Sequence, residues 1–273
     1  MCPHCRALID RDAKVCPLCG ETTGPVRARG GNSTPGRIMG VIPIPTTASS
    51  VVIVANLALY VLSWYMTQNT EAAQLYGAPA MGGIDGHVLL RLGAKAPYII
   101  FDHQWWRLVT AMFLHADILH IGMNMWCLVD LGPQVESLFS TTKFTVLYLV
   151  TGVAGFLLSL WWAPMGMSVG ASGAIMGLIG ILIGASYHHG QLGKDIRSSL
   201  WKWVLYIAIF GIFFAADNAA HFGGLASGLA LGYLIPEDEP STRPSENLWN
   251  SLAVVSVLII AASFVLMTLQ LSH

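Results

Sequence analysis

Four side chains have the types and spacing needed for nucleophilic chemistry: Ser172, His221, His120 and Asn124. A serine hydroxyl attacks a carbonyl only when a base takes its proton, and histidine titrates near the pH required. Ser172 in Gly170-Ala-Ser-Gly173 and His221 in Asp217-Asn-Ala-Ala-His221 would form such a dyad. Acyl transfer then needs donors for a tetrahedral oxyanion. His120 and Asn124 stand four residues apart, on one helix face, and can supply them with the Ser172 backbone N–H. A serine at a helix N-terminus gains free amides and the favourable dipole end. Asp217, one turn before His221, either orients the imidazole or caps its helix. No acidic third member is evident, so the expectation is a dyad.

A second constellation lies at the start of the chain, as Cys2-Pro-His-Cys5 and Cys16-Pro-Leu-Cys19-Gly20. Two Cys-x-x-Cys turns supply four thiolates in the tetrahedral set zinc prefers. The module resembles a minimal zinc ribbon over 1–24, holding a structural Zn2+, with iron the less favoured metal. A disulfide reading conflicts with a reducing compartment at this end. Four cysteines complete the shell, so His4 is expected to be exposed. Residues 25–48 carry Gly, Pro, Ser, Thr and Arg without an apolar period and read as a flexible linker. The fifth cysteine, Cys127, falls in an apolar stretch and is expected to be a small buried residue.

The elements that must position the Ser and His residues follow from charge placement. Only 11% of the 273 residues are charged, while 54% are hydrophobic. Ordinary globular chains carry about 25% charged residues, and this smaller share cannot clothe a soluble surface. The net charge of −1 excludes a nucleic-acid binder that relies on bulk positive charge, and the apolar content excludes intrinsic disorder. Phe144 to Tyr187 contains no Asp, Glu, Lys or Arg, and neither do Ser50 to Thr70 or Asn247 to His273. A helix crosses a bilayer with about 20 apolar residues. The chain therefore reads as seven spans: 49–67, 117–138, 144–162, 171–187, 200–215, 218–235 and 249–270.

The segment between the first two spans, with Gly82-Gly83 and Trp105-Trp106-Arg107, is too polar to cross and reads as a structured extramembrane loop. Within it, Leu108 to Leu114 would either begin the second span or dip into the interface. Basic residues set the orientation. With the N-terminus cytoplasmic, Arg6, Arg11, Lys14, Arg27, Arg29, Arg37, Lys143, Lys194, Arg197, Lys202 and Arg243 fall inside, against Arg91, Lys95 and Arg107 outside. Seven spans then leave the C-terminus outside. Spans two, four and six all enter from the outer face, so Ser172, His221, His120 and Asn124 share one depth. Gly173-xxx-Gly177, Gly180-xxx-Gly184 and Gly224-xxx-Gly228 allow spans four and six to approach closely.

These motifs resemble the rhomboid family of intramembrane serine proteases, over about residues 50–235. The resemblance rests on Trp106-Arg107 in the first loop and His115, His120 and Asn124 in the second span. It also rests on Gly170 to Gly173 and on Ala220-His221 through Gly228. It implies Ser172 as nucleophile, His221 as general base, and His120 and Asn124 at the oxyanion. His115 and Gly170 are implied to support that site, and Glu136 matches an acidic position near the inner end of its helix. The expected fold class is an all-α polytopic membrane protein. A rhomboid-like catalytic domain of six helices (49–235) precedes a cytoplasmic loop and an extra C-terminal span (236–273).

The resemblance implies transmembrane protein substrates, cut in or near their spans, with a small residue at the scissile bond and helix-weakening residues beyond it. No cofactor is expected for the catalysis, and the partners expected are the lipid bilayer and those substrates, with no nucleic acid. A multi-pass protein of the cell membrane is the expected location. Two rival readings are an inactive relative that binds membrane helices and a proton-coupled transporter using His120, Asp217 and His221. The transporter predicts a matching half-repeat, which the sequence does not show.

Overall fold

The computed structural model describes residues 37–38, 42–43, 47–77, 79–213, 216–235, 237 and 243–271. Every described residue belongs to one compact unit, Arg37–His273. The proposed module with Cys2, Cys5, Cys16 and Cys19 lies outside the described residues.

Apart from a two-residue hairpin, Arg37–Ile38 (β1) against Ile42–Pro43 (β2), the described chain is built on helices. The long ones are α1 (Thr47–Gln68), α6 (Ile118–Trp162), α7 (Ser172–Ala185), α8 (Gly190–Phe213), α9 (Asn218–Leu234) and α10 (Arg243–Leu271). Short helices α2 (Glu71–Tyr76), α3 (Gly86–Arg91), α4 (Tyr98–Phe101) and α5 (Arg107–Thr110) lie between α1 and α6. Among the described residues, three helices are long and apolar enough to cross a membrane, 48–68, 118–162 and 244–271, and 172–188 is a shorter apolar helix. This is the architecture of a polytopic membrane protein.

The burial pattern of α1 and α10 is the reverse of a soluble helix. In α1 the buried face is Ser49, Asn56, Ser63 and Thr67, while Val51, Val54, Val61 and Trp64 are exposed. In α10 Ala253, Ser256, Ser263 and Met267 are buried, and Val254, Leu258 and Val265 are exposed. Small and polar residues face neighbouring helices because they permit close approach, and large apolar ones face lipid at no cost. Their hydroxyls stay satisfied by bonding back along the helix: Ser63 Oγ donates to Leu59 O at 2.7 Å and Ser263 Oγ to Ile259 O at 2.8 Å.

Helix α6 covers both the second and third expected spans. Ser140, at φ 75° and ψ 161°, is non-helical within it. A straight helix of 45 residues would be about 67 Å long. Yet Asp117 and His120 at its start and Ser159 and Trp162 at its end all line one cavity. The break at Ser140 therefore folds the helix back on itself, as the polar residues 140–143 between two apolar runs require. Other boundaries differ from expectation where helix and span part company. Helix α8 begins at Gly190, ten residues before the expected fifth span, because 191–197, which carries Gln191, Lys194, Asp195 and Arg197, is too polar to read as a span yet is helical. Arg197 Nη1 in that first part donates to Ser186 O at 2.7 Å.

The first loop is folded. Ile84, Val88, Leu89, Leu92, Ala94 and Leu114 form a small core with Met267 of α10. Phe264 meets Phe113 edge-on, with ring centroids 5.5 Å apart. The end of α10 thus sits on the face of the molecule that carries the first loop. Arg107 holds this loop together. Its guanidinium is buried, donating to Leu90 O at 2.7 Å, Ala94 O at 3.1 Å and Gln104 Oε1 at 2.6 Å, and it stacks on Trp106 and Tyr98. Leu108 to Leu114 neither starts α6 nor faces lipid. It forms α5 and a buried single turn that ends extended at Leu114.

Candidate active site

Two glycine-faced helices bring the serine and histidine together. A Cβ on Gly224 of α9 would overlap the Gly173 carbonyl of α7, and one on Gly228 would overlap that of Gly177. From the other side, a Cβ on Gly180 or Gly184 would strike the carbonyls of Leu225 or Leu229. Gly155 of α6 approaches Ala220 in the same way, its ideal Cβ lying 2.7 Å from the Ala220 oxygen. Backbones this close leave no play between the helices.

Ser172 is the first residue of α7, where backbone N–H groups lack intrahelical partners. His221 lies in the first turn of α9, 7% exposed. Their side chains meet, with Ser172 Oγ 2.8 Å from His221 Nε2. His221 Nδ1 is buried and has no hydrogen-bond partner among the described residues, so none of their carboxylates orients the ring. Asp217 instead caps α9: its Oδ1 accepts from Ala220 N at 3.0 Å and its Oδ2 accepts from the Ser159 hydroxyl.

Ser172, His221, His120, Asn124 and Gly170 all line a cavity of about 650 Å3. Asn124 is buried there, its Nδ2 without a partner among the described residues. Gly170 has φ +130°, a conformation that L side chains rarely adopt, and its N–H donates to Ala111 O at 2.9 Å. An added Cβ would stand 2.7 Å from His120 Nε2 and 3.6 Å from Ser172 Oγ, so the glycine lets His120 reach the serine's turn. The N–H of His120 is capped by Asp117 Oδ1 at 2.8 Å.

His115 is absent from the cavity wall. It is fully buried behind His120, the ring centroids 5.0 Å apart at 69°, and both its ring nitrogens lack partners among the described residues. Burial first, and His120 second, hold its pKa well below 6.5. Cys127 is half-buried on the cavity wall rather than fully enclosed. Glu136 is buried far from this site, accepting from Ser49 N at 2.6 Å at the start of α1.

Sequence reasoning missed Lys95 and Ser159, which also line the cavity. Along the chain Lys95 reads as a loop charge, yet it is 1% exposed. Its isolation in the apolar run Leu92 to Ala96 was the available signal.

A helical membrane protein with a hydrogen-bonded, partly buried Ser–His pair at the ends of two packed helices is the class that fold and site define. Residues 102–237 match the family described as the Rhomboid domain. The chain is 35% identical over 157 residues to RHOMBOID-like protein 6, mitochondrial, of Arabidopsis thaliana, covering 56% of this chain and 51% of that one. It is 30% identical over 183 residues to Rhomboid-like protease 3 of Toxoplasma gondii, covering 65% of each. It is 33% identical over 151 residues to Rhomboid protease GluP of Bacillus subtilis (strain 168), covering 54% of this chain and 29% of that one. These matches support the rhomboid family for this chain, which spans about half the length of the first two Arabidopsis relatives it matches.

Proposed function

We propose that this protein is a rhomboid-type intramembrane serine protease using a Ser172–His221 dyad. The observation that carries the reading is the 2.8 Å approach of Ser172 Oγ to His221 Nε2 on a cavity wall that also bears Asn124, whose Nδ2 has no partner among the described residues. Ser172 Oγ attacks the scissile carbonyl as Nε2 takes its proton, and Nε2 then delivers that proton to the leaving amine. Water, deprotonated by the same nitrogen, releases the acyl group and restores the hydroxyl. The Ser172 N–H, Asn124 Nδ2 and the His120 ring supply donors for the oxyanion. Gly170 and His115 both adjoin the His120 ring and support it. The kinship with proteins named as proteases in Bacillus and Toxoplasma favours activity over a binding-only relative.

The substrates proposed are single transmembrane helices with a small residue at the scissile bond. The seven-span topology of a cell-membrane protein is part of this reading, with the N-terminus cytoplasmic and the catalytic face outward. Shared placement of the first loop and the end of α10 on one face supports it, as an odd number of spans requires. Cys2, Cys5, Cys16 and Cys19 are proposed to hold a structural Zn2+. Metal analysis of Cys2→Ser and Cys16→Ser checks this, with zinc lost from both.

The deciding experiment treats purified protein with a fluorophosphonate probe. Wild type is expected to be labelled and to cleave a single-span reporter, and Ser172→Ala to do neither. Equal labelling of both forms would overturn the nucleophile assignment.

A further inference from the structure

Lys95 is a buried cation from the first loop that reaches the catalytic elements from outside them. Its backbone exchanges two hydrogen bonds with Ser168, each of 3.0 Å, on the segment leading into Ser172. Its Nζ donates to Ala163 O at 2.6 Å and lies 3.5 Å from Ser159 O, at the last turn of α6. The hydroxyl of that same Ser159 is bonded to Asp217, which caps the helix carrying His221. Lys95, Ser159 and Asp217 all line the cavity.

A cation at the carbonyl end of a helix is favourable. Capping alone does not explain a lysine, because the same carbonyls can be met by water or a neutral donor without burying a charge. Burial pulls the Lys95 ammonium below its ordinary pKa, and the Asp217 carboxylate opposes that pull. The other charged or titratable groups lining the cavity are Asp117, Cys127 and the two histidines, His120 and His221. Among these, Asp217 is the anion that shares a bridging residue with Lys95.

We propose that Lys95 is the counter-charge of Asp217, bridged by Ser159, and that this pair is a positioning device locking the His221 helix to the approach to Ser172. The proposal rests on the protease reading for its catalytic consequence, although the pairing itself does not. Lys95 ties three chain segments together: residues 163–170 through its backbone, the end of α6 through Nζ, and α9 through Ser159 and Asp217. Without it, Asp217 is a partly buried anion with no lysine or arginine beside it among the described residues of the cavity wall. It then turns toward water and draws the first turn of α9 with it.

The test is a charge-compensation cycle in the full-length protein: Lys95→Met, Asp217→Asn and the double variant. Asparagine caps a helix as well as aspartate does, its one oxygen accepting from Ala220 N–H while its Nδ2 donates to the Ser159 hydroxyl, so the cycle removes the charge and keeps the cap. Stranding one member of a buried pair is costly, whereas neutralising both is tolerated. Lys95→Met is expected to lower both the thermal midpoint and the fluorophosphonate labelling rate, the latter by about tenfold or more, as small misplacements do. The double variant is expected to recover at least half of each loss relative to Lys95→Met. Additive losses in thermal midpoint overturn the pairing whatever the labelling. Wild-type labelling in folded Lys95→Met overturns the positioning role. An unlabelled wild type removes the protease reading and the positioning role with it, while a non-additive thermal cycle still upholds the pair.

Discussion

The carbonyl oxygen of Gly173 occupies the space where a Cβ on Gly224 would stand. One glycine follows Ser172 and the other lies three residues after His221, so the contact that fixes the two helices is beside the residues it must align. With no side chain between them, the separation is set by backbone against backbone, which is far stiffer than contact through rotatable groups.

Gly224→Ala should therefore push α9 from α7, because the clash is with backbone. Overpacking of this kind destabilises by about 1–3 kcal/mol. We expect a lower thermal midpoint in detergent and at least a tenfold loss of fluorophosphonate labelling. Gly122→Ala is the control. A Cβ there meets nothing within 4 Å, and alanine is favoured over glycine inside a helix, so its midpoint should hold or rise. Equal behaviour of the two variants would refute the packing argument.

Gly170→Ala tests a different relationship, between a positive-φ turn and His120. Its methyl group must enter a conformation with φ +130° and press on His120 Nε2. Labelling of Ser172 should fall by about two orders of magnitude, the scale of removing an oxyanion donor. The strain costs about 1–3 kcal/mol, so the protein should still fold. Retained labelling would show that His120 is not needed where the glycine admits it.

His115 makes acid sensitivity predictable in sign. Its folded pKa lies well below 6.5 because it is buried, with His120 adding to the effect. Below pH 6.5 the unfolded chain binds a proton that the folded chain does not. Stability contributed by the neutral ring is thus present above pH 6.5 and is lost as pH falls toward the folded pKa. The loss is at most about 1.4 kcal/mol per pH unit for one group. Thermal midpoints measured from pH 7.5 to 5 should drop less steeply in His115→Gln than in wild type. Parallel curves would contradict the burial account.

Much of the architecture was legible along the chain. Charge-free runs mark the apolar helices, and helical segments occupy all seven expected positions, although α6 runs through two of them and α8 starts early. Hydropathy reports which residues tolerate lipid, and it says little about where a polar helix begins. The spacing of small residues likewise marked the faces of α7 and α9 that meet, because glycine at every fourth position lies on one stripe of a helix.

The sequence by itself determined the local properties: which stretches are apolar, which faces are small, and that Ser172, His221, His120 and Asn124 recur at matching helix ends. Tertiary structure alone decided what spans a long chain separation. It sent Asp217 to Ser159 rather than to the His221 ring, put Gly170 under His120, placed His115 behind the cavity wall, and buried Lys95 against the end of α6. A periodic pattern reports the environment of one face, averaged over a helix. The partner of a single polar atom depends on how three or four distant segments fold together, and no local pattern carries that information.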